Sequence, residues 1–355
     1  MEKVILTTGG TGGHIFPALA VAEELRSRYP AIKIIFMGSE KGPEARLAPA
    51  HGISFEGMKV KGFLGRGFRA VPAAFNMLRA LYKAHFFIKK NIPNVIAGFG
   101  GYASFAPMLA GHFLHIPLLL HEQNAIPGSC NRLLSKFANS ICVSMKGTQG
   151  FSKATIYTGN PVRDAIFKAK KNSASNDGPL HLLILGGSQG AHGINLLLKK
   201  LLPQLKGRNI EIIHQCGQAD LGDLQNAYIE AGYGADCVKS FIDDMAGAYS
   251  WADFAICRAG ASTIAELCAT ALPAIFIPFP AAIHDHQTKN AQNLVDNGAA
   301  LLFQEARLSP SELMDCIDVF ARDREKLAKM SENTARLAKK DAARLLVNEL
   351  EKIAV

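Results

Sequence analysis

The first glycine-rich stretch of the chain, from Gly9 to His14, combines an anion-binding turn with a histidine. It reads Gly-Gly-Thr-Gly-Gly-His and leads into a segment with helical spacing of apolar residues. Glycines at a helix N-terminus expose backbone N–H groups, where the helix dipole favours an anion such as phosphate by roughly 1 kcal/mol. Histidine, with an unperturbed pKa of about 6.5, can take a proton from a hydroxyl group, a role typically worth roughly 10² to 10⁴ in rate. The stretch therefore predicts a phosphate-binding turn beside a candidate general base.

The spacing of these glycines does not identify the ligand. Gly10 and Gly12 are followed by Ile15 where a dinucleotide fingerprint needs a third glycine, and no Gly-Lys-Ser/Thr follows as a P-loop requires. A tight turn that lets a helix pack close to a strand is the competing interpretation. Both interpretations require a strand before the turn and a helix after it.

The elements that position this turn recur in the second half of the chain. Val4 to Leu6 favour a buried strand, and apolar residues recur at helical spacing after Pro17. A second apolar run, glycine turn and helix begin at Leu180, where Gly186 to Ser188 correspond to Gly9 to Thr11. The chain is therefore predicted to contain two halves of similar design.

Short apolar runs predict an α/β fold with two parallel sheets. Helical segments separate most of these runs, as expected of crossover connections between parallel strands. The runs are Lys33–Gly38, Val95–Ala97, Leu118–Leu120, Ile141–Val143, Thr155–Tyr157, Glu211–His214, Val238–Phe241, Phe254–Ile256, Ala274–Ile277 and Leu301–Phe303. We expect two Rossmann-like domains, residues 1–163 and 164–340, with the join in the polar segment Lys168–Gly178. A helix over about residues 341–355 carries an apolar stripe that can pack back on the first domain.

Polar and glycine-rich segments follow the predicted strands, and ligands bind beyond the carboxyl ends of strands in open parallel sheets. The segments are GGTGGH (9–14), GFGGY (98–102), HEQN (121–124), GNPVR (159–163), GGSQG (186–190), FIDDM (241–245), CRAGAST (257–263) and HDHQTKN (284–290). If the two domains face each other, these segments line one cleft between them. That cleft is the predicted ligand site.

Charge and cysteine content narrow the classes of partner. The 355 residues include 39 Lys and Arg against 30 Asp and Glu, a net charge of +9. This surplus favours an anionic partner such as nucleic acid, a membrane surface or a phosphorylated substrate. The seven cysteines form no C-x-x-C pair, which indicates reduced thiols in a cytosolic protein. The sequence predicts neither a signal peptide nor a membrane span.

A basic and aromatic segment, Lys59 to Lys90, carries nearly all of the positive surplus and no Asp or Glu. Its basic residues are Lys59, Lys61, Arg66, Arg69, Arg79, Lys83, Lys89 and Lys90, and its large apolar ones include Phe63, Leu64, Phe68, Phe75, Leu78, Tyr82, Phe86 and Phe87. Such interleaving is typical of a surface that inserts into an anionic leaflet, where each basic residue contributes up to about 1 kcal/mol. About half of the aromatics are expected to be ordinary core. Nucleic acid is not an expected partner, because no recognised binding module accompanies the segment.

Taken together, these motifs make the sequence similar to the MurG family of bacterial peripheral membrane glycosyltransferases. The resemblance runs nearly end to end, through GGTGGHIFPALAVAEEL, GFGGYASFAP, HEQNAIPG, GNPVR, GGSQGA, CRAGASTIAEL and HQTKNA. It implies a GT-B fold, UDP-N-acetylglucosamine (UDP-GlcNAc) as donor, and undecaprenyl-pyrophosphoryl-MurNAc-pentapeptide (lipid I) as acceptor. The implied product is lipid II for peptidoglycan synthesis, formed at the MurNAc 4-hydroxyl with inversion at the anomeric carbon and without a cofactor.

The resemblance also implies a location and an acceptor surface. It places the protein peripherally on the cytoplasmic face of the plasma (inner) membrane, with an anionic membrane surface as partner and with cell-wall synthesis and division proteins as candidate partners. The implied acceptor and membrane residues are Gly100, Gly101, Tyr102, Phe63, Leu64, Phe75, Arg79 and Lys83.

Donor binding is implied mainly for the second domain. Ser188 and its glycine turn suit the diphosphate, and Arg163 can add charge-assisted hydrogen bonds, with an interdomain salt bridge as the alternative for Arg163. Glu266 is implied to accept hydrogen bonds from the ribose hydroxyls, with compensation of a helix dipole as its alternative. The full implied donor set is Thr11, Gly12, Gly13, Asn124, Arg163, Ser188, Ile242, Ala261, Ser262, Thr263, Ile264, Ala265, Glu266 and Gln287.

Three donor contacts rest mainly on the resemblance. Gln287 is implied to hold the GlcNAc hydroxyls, Asn124 to face the donor sugar, and the backbone of Ile242 to read the uracil edge. His286 stands before Gln287 where many relatives have a second glutamine, which leaves the contact at His286 open.

Two residues compete for the role of general base. His14 can be that base, but it can equally bind the acceptor pyrophosphate or cap its loop. Glu122 is the rival, although a carboxylate after an apolar strand can also orient a loop. No metal is expected, because the chain contains no Asp-x-Asp, and His284 and His286 lack a matched third ligand for zinc.

Other functions fit parts of the pattern. A UDP-sugar epimerase of the same fold would use the same donor cleft but has no need of the basic segment, and another GT-B glycolipid glycosyltransferase is a further alternative. A dinucleotide oxidoreductase would need a G-x-G-x-x-G turn, which both halves lack. A membrane-bound scaffold without activity would not need polar loops at the strand ends.

Overall fold

A computed structural model describes residues 1–60, 70–169, 178–187 and 189–355. Within these ranges the chain divides into two compact units. Unit 1 comprises Met1–Asp164 and Lys339–Val355, and unit 2 comprises Ala165–Ala338. Phe63, Leu64, Ser188 and residues 170–177 of the predicted join lie outside the described residues.

Each unit is built on one parallel β-sheet. The strands are β1 Lys3–Thr7, β2 Lys33–Ser39, β3 Ser54–Met58, β4 Val95–Gly98, β5 Leu118–Glu122, β6 Ser140–Val143, β7 Ile156–Tyr157, β8 Leu180–Leu185, β9 Ile210–Gln215, β10 Val238–Lys239, β11 Phe254–Cys257, β12 Ala274–Phe276 and β13 Ala300–Leu302. Among the described residues, the strand order is β3-β2-β1-β4-β5-β6-β7 in unit 1 and β10-β9-β8-β11-β12-β13 in unit 2. The predicted pair of Rossmann-like parallel sheets is confirmed.

Helices connect the strands in both units. They are α1 Gly12–Arg28, α2 Glu44–Ala50, α3 Ala70–Asn91, α4 Phe105–Phe113, α5 Ser129–Leu134, α6 Asp164–Phe167, α7 His192–Lys206, α8 Leu221–Glu230, α9 Met245–Trp251, α10 Ala261–Ala269, α11 His286–Asp296, α12 Pro310–Arg322, α13 Arg324–Arg336 and α14 Ala342–Ile353. Short 3₁₀ turns occur at Tyr102–Ser104, Ala235–Cys237 and Ile283–Asp285.

The central strand of unit 1 contributes to two cores. Val4 and Leu6 pack in a core that contains apolar residues of α1 and α14, and Ile5 packs on the other face with residues of α3 and α4. Successive strand residues point to opposite faces of a sheet. Because helices cover both faces, β1 reads as a continuous apolar run rather than an alternating one.

The last helix belongs structurally to unit 1. Leu346, Val347 and Leu350 of α14 are buried in the same core as α1. Arg28 at the end of α1 pairs with Glu351 at 2.9 Å and donates to Asn348 at 2.7 Å. The chain therefore returns to unit 1 after completing unit 2.

The structure departs from the sequence prediction at β3, at the first residues of three polar segments and at the end of β10. Gly98 of GFGGY and Cys257 of CRAGAST are the last residues of β4 and β11, and β10 ends at Lys239 rather than Phe241. β3 is not predicted, because its residues Ser-Phe-Glu-Gly-Met are mostly half-buried at the edge of the sheet and carry little apolar signal. The prediction that the HEQN segment follows a strand is wrong for its first two residues. His121 and Glu122 are the last residues of β5, and both are buried.

All seven cysteines are free thiols. Burial raises the pKa of Cys142, Cys257 and Cys268 to about 12, so these thiols stay protonated at neutral pH. In the part of the chain that the structure describes, no helix has both the length and the apolar character needed to cross a membrane.

Candidate active site

The first glycine turn of unit 1 leads directly into the N-terminus of α1. Thr11 precedes the helix in extended conformation and makes no side-chain cap, and the first turn contains no acidic residue. Thr11 and Gly13 are exposed, and Gly12 is half-buried. The positive end of the helix dipole is therefore not offset by a cap or by a carboxylate in the first turn, which suits an anionic ligand.

Glycines are also required by close packing between two loops. Gly9 follows β1, and Gly101 follows β4 with φ of 77°. A Cβ atom at Gly101 would overlap the carbonyl oxygen of Gly9. Thr8 Oγ1 donates to the Gly100 carbonyl at 3.1 Å, and Tyr102 begins a 3₁₀ turn directly after the contact. Close packing, the competing interpretation of the glycines, therefore explains part of this motif.

His14 contacts the end of β5 through its side chain. The ring is half-buried, and its Nδ1 atom lies 2.7 Å from Gln123 Oε1. Gln123 Nε2 lies 3.0 Å from Nδ1 of His121, whose Nε2 lies 3.1 Å from the Gly159 carbonyl oxygen. The structure thus connects the first glycine turn to the HEQN and GNPVR segments.

Glu122, the last residue of β5, accepts hydrogen bonds from the segment that follows it, up to Asn131 in α5. Its Oε1 accepts from the backbone N–H and the side-chain amide of Asn124, at 2.9 and 3.1 Å. Its Oε2 accepts from the Gly128 N–H at 3.1 Å and from Asn131 Nδ2 at 2.8 Å. Since both oxygens of this buried carboxylate are occupied by donors of this segment, the geometry favours the loop-orienting alternative over a base.

Arg163 lies beside the start of α1. Its guanidinium carbon is 4.4 Å from the centre of the Phe16 ring, a cation–π distance. A Cβ atom at Gly12 would lie 2.9 Å from the same ring, so Phe16 fills the space between Gly12 and Arg163. Within unit 1, the predicted cation is therefore close to the predicted anion-binding turn.

One face of α3 exposes a stripe of large apolar side chains. Phe75, Leu78, Tyr82 and Phe86 are 61%, 65%, 68% and 52% exposed, at helical spacing. The opposite face buries Met77, Ala80, Ala84 and Ile88 in the core of unit 1. The expectation that about half of the aromatics are core is not met among the described residues of this segment, because only Phe87 packs partly against the core.

Basic side chains accompany this stripe. The Arg79 guanidinium lies 5.9 Å from the Phe75 ring centre and is exposed, as are Lys89 and Lys90. Lys83 pairs with Glu56 at 2.6 Å and donates to the Gly57 carbonyl at 2.7 Å, so its charge is partly offset within unit 1.

In unit 2, the second glycine turn is also held by close packing. Gly187 and Gly190 have φ of 74° and 78°, and a Cβ atom at Gly190 would overlap the Cys216 carbonyl oxygen. Gln215 donates to the Gly187 carbonyl at 3.3 Å. This contact links the end of β9 to Gly187, and the predicted diphosphate residue Ser188 is outside the described residues.

The predicted ribose site lies at α10. The helix begins at Ala261 without a side-chain cap, and Ser262, Ile264 and Glu266 are buried while Thr263 and Ala265 are half-buried. Tyr249 of α9 donates its hydroxyl hydrogen to Glu266 Oε2 at 2.9 Å. The carboxyl group is therefore held by a partner from another helix, as a buried polar group requires.

Two further predicted donor residues of unit 2 are Ile242, which lies in a loop, and Gln287, which is the second residue of α11. Ile242 is buried in the loop before α9, whose N-cap Asp244 accepts from the Gly247 N–H at 2.9 Å. Gln287 Oε1 accepts from the Phe279 N–H at 2.9 Å. His284 and Asp285 just before α11 have φ of 55° and 52°, a conformation that is rare for residues other than glycine.

Sequence reasoning missed three residues of these sites. Gln123 lies inside the HEQN motif but has no predicted role, and its place in that motif is the only sequence feature that points to it. Tyr249 carries no motif and is found only through its contact with Glu266. Glu44 is buried beneath the first glycine turn, where its Oε1 accepts from the Ser39 N–H at 2.8 Å, and burial raises its pKa.

Two buried histidines predict a pH dependence of stability. Burial lowers the pKa of His121 to about 4 and that of His214 to about 3, from 6.5. In the unfolded chain both return towards 6.5, so between pH 6.5 and 4 the unfolded state binds more protons than the folded state. The contribution of the two neutral histidines to the free energy of unfolding is therefore fully present above pH 6.5, and each histidine lowers it by up to roughly 1 kcal/mol per pH unit as the pH falls through that range.

Unfolding of unit 2 can be followed separately, because Trp251 of α9 is the one tryptophan in the chain. His214→Gln is expected to flatten the pH dependence of the urea midpoint measured by tryptophan fluorescence. His51→Gln, at a half-buried histidine after α2, is the control and should leave the slope unchanged. An equal slope in wild type and His214→Gln would contradict this prediction.

Comparison with known proteins identifies the family. The model of the glycosyltransferase family 28 N-terminal domain matches residues 4–143, and that of the family 28 C-terminal domain matches residues 181–346. The chain belongs to glycosyltransferase family 28. It is a glycosyltransferase, and each matched domain contains one of the two glycine turns.

Named relatives of this family 28 glycosyltransferase match over nearly their whole length. The UDP-N-acetylglucosamine–N-acetylmuramyl-(pentapeptide) pyrophosphoryl-undecaprenol N-acetylglucosamine transferase of Nitratidesulfovibrio vulgaris is 44% identical, covering 99% of this chain and 97% of that protein. The enzyme of the same name from Coxiella burnetii is 39% identical, with 99% of both chains covered.

Solved structures give the same family and a wider fold group. The crystal structure of Acinetobacter baumannii MurG is 35% identical and covers 99% of this chain and 100% of that chain, with a TM-score of 0.77. These matches confirm the resemblance to the MurG family and the GT-B type of fold. A Neisseria meningitidis UDP-GlcNAc 2-epimerase structure has a TM-score of 0.70 at 13% identity, covering 99% of this chain and 100% of that chain. That similarity shows a shared fold alone.

Proposed function

We propose that this enzyme transfers GlcNAc from UDP-GlcNAc to the MurNAc 4-hydroxyl of lipid I and thereby forms lipid II. The observation that carries the proposal is 44% identity, over 99% of this chain, to an enzyme named for that transfer. The function places the protein in peptidoglycan synthesis and, through it, in cell-wall growth, cell shape and division.

The proposed reaction is a single displacement at the anomeric carbon of GlcNAc. The oxygen of the MurNAc 4-hydroxyl forms the new bond to this carbon, and the bond from the carbon to the UDP oxygen breaks. A general base takes the hydroxyl proton, and UDP leaves with the bonding electron pair. Attack from the face opposite UDP inverts the configuration. The protein must therefore supply a base and must stabilise the negative charge that develops on the diphosphate.

Unit 2 supplies the donor site in this proposal. Glu266 accepts hydrogen bonds from the ribose hydroxyls, and the Tyr249 hydroxyl at 2.9 Å supports its orientation. The uncapped N-terminus of α10 at Ala261 and the glycine turn that contains Ser188 stabilise the diphosphate. The backbone of Ile242 reads the uracil edge, and Gln287 contacts the GlcNAc hydroxyls. The ribose thus lies beside one carboxylate, and the phosphates lie beside the positive end of a helix dipole and the N–H groups of the glycine turn.

Unit 1 supplies the base and the acceptor site. His14 is the proposed base, because it is half-buried at an anion-binding helix start, whereas both oxygens of Glu122 are occupied by hydrogen bonds within its loop. Arg163 contributes a positive charge for the diphosphate. Thr11 to Gly13, Gly100 to Tyr102 and Asn124 complete the proposed substrate contacts of this unit. The GFGGY turn packs directly on the first glycine turn, which supports a joint role of the two loops.

Peripheral membrane attachment is proposed for the exposed face of α3. The four exposed apolar side chains at Phe75, Leu78, Tyr82 and Phe86 are too large a contiguous set for an ordinary surface helix. Exposed Arg79, Lys89 and Lys90 on the same helix attract anionic lipid headgroups. This face would hold the enzyme on the cytoplasmic side of the plasma membrane, beside its proposed lipid-linked acceptor.

Replacement of this stripe is expected to weaken membrane binding. The variant Leu78→Ser/Tyr82→Ser/Phe86→Ser should bind vesicles of phosphatidylglycerol and phosphatidylcholine at least about tenfold more weakly, because each lost apolar side chain removes roughly 1 kcal/mol or more of insertion free energy. Vesicle sedimentation measures the change. Ile229→Ser, at a comparably exposed apolar residue of unit 2, is the control and should bind as wild type does. Equal binding by the triple variant would contradict membrane attachment through α3.

Product analysis separates the proposed transferase from a UDP-sugar epimerase. Nuclear magnetic resonance of UDP-GlcNAc incubated with enzyme alone should show an unchanged sugar nucleotide. Addition of a water-soluble, short-chain lipid I analogue should yield a disaccharide with a β linkage. Conversion of UDP-GlcNAc to its 2-epimer without acceptor would contradict the proposal.

A further inference from the structure

A chain of hydrogen bonds leads from His14 into the buried core of unit 1. His14 Nδ1 lies 2.7 Å from Gln123 Oε1, and Gln123 Nε2 lies 3.0 Å from His121 Nδ1. His121 Nε2 in turn lies 3.1 Å from the Gly159 carbonyl oxygen. Gln123 and His121 are almost completely buried, so these contacts form in an environment without competing water.

Contacts with backbone carbonyl oxygens determine which atom donates and which accepts at each step of this series of hydrogen bonds. A carbonyl oxygen can only accept, so His121 Nε2 must carry the hydrogen that it donates to Gly159. His121 is neutral, because burial lowers its pKa to about 4, and its Nδ1 therefore presents a lone pair. Ser144 Oγ, 3.2 Å from Nε2, can accept a share of the same hydrogen.

The orientation of the Gln123 amide is fixed by a second carbonyl. Gln123 Nε2 lies 3.2 Å from the His121 backbone oxygen as well as 3.0 Å from His121 Nδ1, and both are acceptors. The reversed amide would place its oxygen against these two acceptors. The amide nitrogen of Gln123 therefore faces His121, and its oxygen faces His14.

His14 must then donate through Nδ1, because Gln123 Oε1 can only accept. The neutral imidazole has one hydrogen, so Nε2 keeps the lone pair that a base needs. We propose that Gln123 and His121 are positioning residues that hold His14 in the Nδ1–H form and so make Nε2 the proton acceptor of the transfer reaction. This inference rests on the proposed function. Histidine in water favours the opposite form, with the hydrogen on Nε2, so the protein must impose this one.

The same contacts stabilise the product of proton transfer. When the acceptor hydroxyl oxygen bonds to the anomeric carbon of GlcNAc, its proton moves to His14 Nε2, and the bond to UDP breaks with its electron pair on UDP. His14 then carries a positive charge and still donates from Nδ1 to Gln123 Oε1. Among the described residues of unit 1, His121 on β5 and Glu44 on α2 are titratable groups that interact electrostatically with His14. A neutral His121 avoids repulsion of that charge.

The direct test is the hydrogen position on His14. In ¹⁵N-histidine-labelled full-length protein at pH 7.5, long-range ¹H–¹⁵N correlation spectra should show His14 with a protonated Nδ1 and an unprotonated Nε2, with the signal assigned through loss in His14→Ala. Gln123→Leu should shift His14 towards the Nε2–H form. The opposite form in wild type, or no shift in Gln123→Leu, would overturn the inference.

Kinetics provide a second readout. Gln123→Leu should lower kcat roughly 10- to 100-fold, less than loss of the base itself, with the KM for UDP-GlcNAc unchanged. His121→Gln keeps a donor and an acceptor and should retain most activity, whereas His121→Phe should resemble Gln123→Leu. Gln292→Leu, at an exposed glutamine of α11, is the matched control and should behave as wild type.

The outcomes distinguish this inference from the proposed function. Equal kcat for Gln123→Leu and wild type would overturn the positioning role of Gln123 and His121. An equal loss of kcat in His121→Gln and His121→Phe would overturn it too. If wild type shows the Nδ1–H form but releases no UDP with acceptor, the proposed function fails. In that case the role of Gln123 in base activation is overturned with it, whereas the predicted hydrogen position on His14 stands.

Discussion

His14→Ala is expected to lower kcat by roughly 10² to 10⁴ while leaving the affinity for UDP-GlcNAc unchanged. The substitution removes the proposed proton acceptor but leaves the donor site of unit 2 intact. Among the described residues, the His14 side chain makes a hydrogen bond to Gln123, and loss of this single bond should change the fold little. Steady-state kinetics with a short-chain lipid I analogue, and calorimetric titration with UDP-GlcNAc, measure the two quantities separately.

The alternatives for His14 give different results in the same experiment. A ligand of the acceptor pyrophosphate would raise the KM for the acceptor with little change in kcat. If His14 only caps its loop, the substitution would lower the melting temperature, kcat and kcat/KM. His51→Ala, at a half-buried histidine outside the site, is the control. Wild-type kcat in His14→Ala would contradict the assignment of the base.

The alternative that Glu122 is the general base can be tested in the same assay. Its four hydrogen bonds come from N–H donors, so the amide of Glu122→Gln would place an N–H group against at least one of them. We attribute any loss in this variant to disorder of the loop from Asn124 to Asn131, which lower protection from hydrogen exchange there would reveal. A well-ordered Glu122→Gln variant with lost kcat, beside an active His14→Ala, would reverse the assignment.

The second large effect is expected at the donor site. Glu266→Ala should weaken UDP-GlcNAc binding roughly 10- to 150-fold, because hydrogen bonds to a charged group contribute about 1.5–3 kcal/mol. The substitution removes the proposed acceptor of the ribose hydroxyls and leaves the Tyr249 hydroxyl without the partner that it has at 2.9 Å. Calorimetric titration gives the affinity, and binding of UDP alone should weaken by the same factor, since the ribose is common to both.

Tyr249→Phe separates the two parts of this effect. The variant keeps the carboxylate but loses its support, so a smaller loss of affinity is expected. Glu349→Ala, at a similarly buried glutamate of α14 in unit 1, is the matched control and should not alter donor affinity. Unchanged affinity in Glu266→Ala would contradict the proposed ribose contact.

Most of the fold was predictable because buried parallel strands leave a strong local signal. β1 and β11 contain continuous apolar runs, and β8 is interrupted only by the half-buried His181, since these strands pack in the helix-lined cores of the two units. β3 escaped prediction because an edge strand is only partly covered and needs fewer apolar residues. The exposure of the α3 stripe was also not predictable in full, because helical spacing identifies two apolar faces but does not tell which one packs on the sheet.

The candidate site was predictable as a set of motifs but not as a set of contacts. The glycine turns and the HEQN segment mark the site, yet the sequence does not show that Glu122 is occupied by its loop or that Gln123 bridges His14 and His121. The partner of Glu266 comes from another helix and has no fixed spacing from it. Such pairings depend on how strand ends and helices come together, which no local pattern encodes.

The most direct test of the central claim is release of UDP by the purified protein from UDP-GlcNAc, in the presence and absence of a short-chain lipid I analogue. We expect release only when the acceptor is present, with one GlcNAc-MurNAc disaccharide formed per UDP released. Release without acceptor, or no release with acceptor although UDP-GlcNAc binds, would contradict it.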